Sequence, residues 1–215
     1  MHRLLAIPAA ALAATVLSAT FTPAAVTPAA VTLAAEKVAE MPLKSGLQVG
    51  EIVGTFDVDD VTGPARGRSI CYACRYGARP VINIFARELT EEVATLIQKI
   101  DQQIDENQDQ ELKAFVVLLS DDPKADRKTL IKLTRKHKIK NVPLTIFDGI
   151  DGPPKCRIAQ KADLTVMLWH DQEVKANHAF AKGKLNKKGI DDVVKSSSKI
   201  LNRSNCKTAD LSASF

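Results

Sequence analysis

The 215-residue sequence is poor in aromatics: seven Phe, two Tyr and one Trp, mostly inside apolar runs. A groove that stacks bases needs aromatics interleaved with basic side chains. Nucleic-acid binding is therefore not expected, although the formal charge is +5, with 30 basic against 25 acidic residues. The excess comes partly from KLTRKHKIK and KGKLNKK, which read as solvated surface. A glycine-rich phosphate loop, a Ser-His-Asp arrangement and a His-x-x-x-His pair are also missing. Nothing in the sequence asks for a nucleotide, a hydrolytic triad or a helix-borne zinc pair, and no cofactor is expected.

One long apolar stretch is present, at the start. In MHRLLAIPAAALAATVLSA, Arg3 precedes the run Leu4–Ala19, and small residues follow. That is the pattern of a secretory signal peptide. It is short for a membrane span, which needs roughly 20 apolar residues, and Pro8 weakens it further. TPAAVTPAAVTLAA comes next, without a periodicity that forms a core face. The expected organisation is a signal peptide and the start of a low-complexity linker over 1–35, linker over 36–46, one domain over 47–201 and a polar tail over 202–215. The chain is expected to be exported, periplasmic or extracellular, with no stable membrane span after cleavage. Its four cysteines, Cys71, Cys74, Cys156 and Cys206, are then free to form disulfides, in any of three full pairings.

Within the domain, LQVGEIVGTFDVDDVTGP suggests one or two short strands before a turn. VINIFA, residues 81–86, reads as a central strand covered on both faces, with Asn83 its polar exception. Thr90 is placed to cap a helix, with Glu91 and Glu92 suited to its positive end. Val93, Leu96, Ile97, Ile100 and Ile104 give that helix a buried face. LKAFVVLLS is a second buried strand, and Asp122-Pro123 opens another helix that ends in basic residues. NVPLTIFDG is a short strand or extended segment. LTVMLW and EVKANHAF form a hairpin, and a helix from about Asn186 to Leu201 closes the domain. The order predicts an α/β sandwich whose mixed central sheet is flanked by helices.

Several blocks resemble the thioredoxin superfamily, and its peroxiredoxin or redoxin-like branch in particular. VGTFDVDDVTGP is similar to the opening hairpin of redoxins, and YGARPVINIFAR to their approach to the first central strand. FVVLLSDD resembles the second parallel strand, RKHKIKNVPLTIFDGIDGP the helix and Pro-Leu block, and LTVMLWHDQEVKANHAF the terminal hairpin. The resemblance spans roughly residues 47–201 and implies a thioredoxin-like fold and thiol chemistry. It also implies a cysteine just after the first central strand, but ARELTEEV, residues 86–93, has none. The Pro, Thr and Cys of a peroxidatic loop are missing, and KADLT has no proline where thioredoxins carry a cis-proline. Peroxidase activity is therefore not expected.

The cysteine pair, Cys71 and Cys74, instead precedes the central strand. The redoxin layout puts it on extended or turn backbone, without the helix start that commonly lowers a thiol pKa. Arg75 and Arg79 are the candidates for stabilising a thiolate there, with Arg68 a third. Three readings stay open: a redox-active dithiol exchanging with protein thiols or disulfides, a structural disulfide, and a metal site. The last needs ligands from elsewhere, such as Cys156 and a histidine. The leading reading is thiol-disulfide oxidoreductase activity. The alternative is a non-catalytic relative that binds partners or holds its structure through disulfides.

Other polar residues have structural readings. His178 is expected to share a strand face with Val174, Ala176 and Phe180 as a half-buried, hydrogen-bonded side chain. His170 falls at the hairpin turn and His137 near a helix end. Asp121 and Asp122 belong to a helix cap, and Glu88 reads as a loop charge. Arg87, at the carboxyl end of the central strand, is a candidate for binding or for plain solvent exposure.

Overall fold

The computed structural model describes residues 43–201. The proposed signal and most of the linker, with Cys206 and the polar tail, lie outside them. Strands β1 (Val58–Asp60), β2 (Ser69–Ile70), β3 (Val81–Ala86), β4 (Lys113–Ser120), β5 (Leu144–Asp148), β6 (Leu164–His170) and β7 (Glu173–Phe180) form one sheet. The spatial order is β2-β1-β5-β4-β3-β6-β7. Pairs β3–β4 and β4–β5 are parallel, and every other pair is antiparallel.

Helices α1 (Tyr72–Tyr76), α2 (Glu91–Glu106), α3 (Pro123–His137) and α4 (Lys187–Ser196) complete the fold. Their placement follows from handedness. The connections β3-α2-β4 and β4-α3-β5 step the same way across the sheet, and right-handed crossovers put both helices on one face. The connection β2-α1-β3 joins parallel strands in the opposite direction, so α1 falls on the other face. The two cores show this division. One joins Ile82, Ile84, Val116 and Leu118 to Leu96, Ile97 and Ile100 of α2, Leu130 of α3, and Ile190 and Val193 of α4. The other joins Val81, Phe85, Phe115 and Trp169 to Tyr72, Ala73 and Tyr76 of α1, with Leu47, Val53 and Phe56 from the irregular N-terminal segment.

The expected local signals are realised. β3 is buried along its whole length. The Thr90 hydroxyl accepts from the Val93 N–H at 3.3 Å, and Asp122 caps α3 with Pro123 at its first position. The five predicted apolar residues of α2 are all buried. Each is worth about 1.5–3 kcal/mol relative to exposure, so Ile100→Ala would cost about 2–5 kcal/mol.

Three local readings change. Ser69–Ile70 forms a two-residue strand just before the cysteine pair, where no strand is expected from sequence. Ser45 is packed into the fold, its hydroxyl 2.6 Å from the Thr165 hydroxyl and its carbonyl accepting from Asn177. Val174 does not share the face of His178: a register shift pairs Leu168 with Ala176 but Trp169 with Val174, leaving Lys175 as the extra residue. The bulge turns Val174 toward the α1 side and keeps Ala176 on the α2 side.

Candidate functional site

A disulfide joins Cys71 and Cys74, whose Cα atoms are 5.3 Å apart. The backbone here is not the extended or turn chain expected from sequence. Cys71 is the N-cap of α1, and its sulfur accepts the Cys74 N–H at 3.1 Å. Arg75 N–H donates to the Cys71 carbonyl at 3.0 Å, and Gly77 N–H to Ala73 at 3.1 Å. Gly77, at φ 59°, stops the helix in a conformation that glycine adopts without strain. The segment has no Ser, Thr, Asp or Asn at its start. Five residues are also too few for an isolated helix. A disulfide sulfur serves as cap, and tertiary packing of Tyr72, Ala73 and Tyr76 holds the turn. Cys74 faces solvent, while Cys71 is half-buried against the core.

Tyr72 fixes this helix to the sheet. Its ring is fully buried and stacks on Phe115 with centroids 5.1 Å apart. Its hydroxyl donates to Oδ2 of Asp60 at 2.9 Å. Asp60, fully buried, also accepts the backbone N–H of Gly63 at 2.6 Å and of Ala65 at 2.7 Å. Burial, with the Asp60 carboxylate second, pushes the Tyr72 phenol far above the ordinary tyrosine range. Tyr76, raised chiefly by burial, donates to the Ala114 carbonyl at 3.4 Å. Gly63 permits this arrangement, because a Cβ there would stand 2.4 Å from the Tyr72 hydroxyl and 2.7 Å from Asp60. Asp60, Gly63 and Tyr72 were not singled out from sequence. The four-residue spacing of Tyr72 and Tyr76 was the available signal, since it puts two aromatics on one side of a helical turn.

The candidate arginines separate. Arg75 is exposed on α1, one residue beyond Cys74, and forms no ion pair among the described residues. The Arg79 guanidinium bonds Glu111 at 3.2 Å and the Tyr76 carbonyl at 3.3 Å. Arg68 is exposed beside β2. Cys156, in a 3₁₀ turn over Pro154–Cys156, is a free, buried thiol. Burial pushes its pKa up to about 12, which keeps it protonated at neutral pH. Among the described residues, no three His, Cys, Asp or Glu side chains gather as a metal site.

The segment that follows β3, Arg87–Thr90, carries no cysteine. Arg87 bonds the carbonyls of Ala162 (2.9 Å), Ala159 (3.3 Å) and Ile150, clamping the 150–162 segment. Glu88 pairs with Lys182, and Glu91 with Lys136. Asp163 precedes β6, its carboxyl raised by burial first and by the Glu88 charge second. His178 is half-buried, with Nε2 2.9 Å from the Ser196 hydroxyl. His170 ends β6, 3.5 Å from Asp171, and His137 ends α3, 3.6 Å from Glu91.

No family model matches the chain, and no curated protein matches it. Solved structures do. One is a candidate protein disulfide isomerase from Bacteroides thetaiotaomicron, 12% identical, with TM-score 0.56 over 74% of this chain and 94% of that one. Another is the peroxidoxin BcpB from Mycobacterium tuberculosis, 14% identical, with TM-score 0.52 over 72% and 98%. A third is the thioredoxin domain of a thiol-disulfide oxidoreductase from Bacteroides vulgatus, 14% identical, with TM-score 0.51 over 73% and 99%. The fold is thioredoxin-like, with a mixed sheet and flanking helices, and it carries a Cys71–Cys74 disulfide.

Proposed function

We propose that this protein exchanges thiols and disulfides with partner proteins through Cys71 and Cys74. The observation that carries the reading is the asymmetry of the pair: Cys74 is exposed, and Cys71 accepts a backbone N–H at 3.1 Å. A hydrogen bond to sulfur favours the thiolate, and a better-stabilised thiolate leaves faster. A partner thiolate attacks the Cys74 sulfur, the bond to Cys71 breaks, and Cys71 departs as the thiolate. A second partner thiol then attacks the partner's sulfur in the mixed disulfide and releases Cys74. One disulfide and two thiols become two protein thiols and one partner disulfide. In the reverse direction the Cys71 thiolate resolves the mixed disulfide. Arg75 is the nearest candidate in sequence to support that charge, and Arg79 is the second.

Exchange fits the solved neighbours described as oxidoreductases. The absence of sulfur at the start of α2 supports only slow peroxide consumption. We propose in addition that the chain is exported, on the Arg3 and Leu4–Ala19 pattern. Mass spectrometry of protein from native cells should find the N-terminus trimmed, and an intact cytoplasmic chain would end that idea.

A second reading has one observation in its favour: the Tyr72–Asp60 bond holds α1 rigidly, as a structural clip would require. Redox titration of the mature chain separates the two. An exchanging pair should titrate at roughly −120 to −270 mV, and a structural clip below about −300 mV. Cys71→Ser and Cys74→Ser should each abolish exchange with a small dithiol. A pair still oxidised near −300 mV, with no exchange, would select the clip.

A further inference from the structure

From sequence alone the basic residues of α3 read as solvated surface, but the helix sorts them. Lys124, Lys128, Lys132 and Lys136 recur at four-residue spacing and form one exposed row. At 1.5 Å per residue the row is about 18 Å long. Leu130 is buried on the opposite side, with Ile131 and Leu133 packed against the same core.

Two local preferences are broken by this arrangement. Like charges four residues apart repel along a helix. Lys124 sits in the first turn, where the positive end of the dipole disfavours a cation. Interspersed acids would give solubility without that repulsion, yet α3 has a single acid, Asp126, which accepts from the Ser120 hydroxyl at 2.6 Å. Among the described residues, Lys124, Lys128 and Lys132 form no ion pair. Two cations are neutralised: Lys136, the last member of the row, meets Glu91 of α2, and Arg127, off the row, lies 3.7 Å from Asp59 of β1.

We propose that this lysine row docks an acidic α-helical segment of a partner protein, with Asp or Glu at four-residue spacing. Such a helix repeats its carboxylates about every 6 Å, the pitch of the lysines themselves. Ala125, Thr129 and Arg135 occupy the exposed positions between the lysines. They offer no large apolar group to enter a bilayer and no ring to stack on bases. Asp59 and Glu91, with side chains 53% and 69% exposed, stand on either side of the row. Because these two acids are already paired with Arg127 and Lys136, the uncompensated charge is a narrow line of Lys124, Lys128 and Lys132 with Arg135 beside it, which fits a rod laid along α3 better than a broad anionic plane.

The test uses the full mature chain and a labelled, alanine-rich helical peptide with glutamates at four-residue spacing. A second peptide of the same composition scatters them around the helix. Fluorescence anisotropy should show the first binding at least about tenfold more tightly and weakening with salt. Lys128→Glu with Lys132→Glu should cost at least about tenfold. The neutral pair Lys128→Gln and Lys132→Gln should cost less, with circular dichroism confirming the fold of both variants. Lys184→Glu with Lys187→Glu, exposed but off the row, should change binding by less than about twofold. Equal binding of the two peptides, or an equal loss in the off-row variant, overturns the proposal. Tighter binding to phosphatidylglycerol vesicles or to a single-stranded oligonucleotide overturns it in favour of a lipid or nucleic-acid surface.

Discussion

The Tyr72 hydroxyl donates to the buried Asp60 carboxylate at 2.9 Å, and Tyr72 is the residue that follows Cys71. The position of the disulfide is thus set by a side chain twelve residues earlier, at the end of β1. Tyr72→Phe keeps the ring and its stacking but removes one donor to a charged acceptor. Loss of such a bond costs about 1.5–3 kcal/mol, and urea denaturation should report it. If the anchor also positions the thiols, the variant shifts the reduction potential. An unchanged potential would confine Tyr72 to stability.

Gly63→Ala should be among the most damaging single-atom additions to this half of the molecule. The new Cβ meets the Tyr72 hydroxyl at 2.4 Å, Asp60 at 2.7 Å and Pro143 at 2.8 Å. None of the three hangs on a flexible, exposed chain that can swing away. Overpacking costs about 1–3 kcal/mol, and the hydrogen bonds at Asp60 are displaced as well. A melting temperature equal to that of the parent would refute this account of Gly63.

Asn83 sits in the middle of β3, fully buried, and both ends of its amide lack a partner among the described residues. It lies on the same strand face as Val81 and Phe85, paired with Phe115 on one side and Met167 on the other. A buried polar group left unpaired costs about 1–3 kcal/mol, and valine also suits a strand better. Asn83→Val should therefore raise stability by about that amount. A destabilised variant would show that the amide is satisfied in solution.

Stability should depend on pH through His178. Burial, and then the charge of Lys199, hold its pKa below the ordinary value of 6.5, while Asp192 opposes them. The unfolded chain binds this proton more readily, so the stabilising contribution is complete above about pH 6.5 and is lost as pH falls below it. Glu91 and Asp191 also have lowered pKa values, from ordinary ones of 4.5 and 3.8, so their loss begins at lower pH. Thermal melts of His178→Gln should be flatter between about pH 6.5 and 5 than those of the parent. Coincident profiles would remove His178 as the cause.

What could be read from the sequence was written in local signals. β3 announces itself by an apolar run, α2 by its spacing and by Thr90, and α3 by Asp122-Pro123. The helix at the disulfide carries only the four-residue spacing of Tyr72 and Tyr76, because a cysteine sulfur does the work of a capping oxygen and five residues are too few for a longer repeat. The Tyr72–Asp60 bond depends on strand β1 passing under α1, which no local pattern encodes. The turning of Val174 to the opposite face depends on one bulge, and a single extra residue leaves the alternation of EVKANHAF looking regular. The displaced position of the pair was legible, but the face of the sheet it occupies follows only from the direction of the β2–β3 crossover.

Three long helices cover one face of the sheet, while the other is closed by α1 and irregular chain. The single tryptophan, Trp169, lies fully buried on that second face, edge-on to Phe115 at 6.0 Å. Phe115 in turn stacks on Tyr72. The molecule therefore carries its own spectroscopic division of labour. Far-ultraviolet dichroism is weighted toward α2, α3 and α4, whereas indole emission reports the layer that holds the disulfide. A disturbance of α1 that leaves the crossover helices intact registers in the second signal and not in the first. Comparing the two in one sample resolves local opening around Cys71 from unfolding of the whole chain.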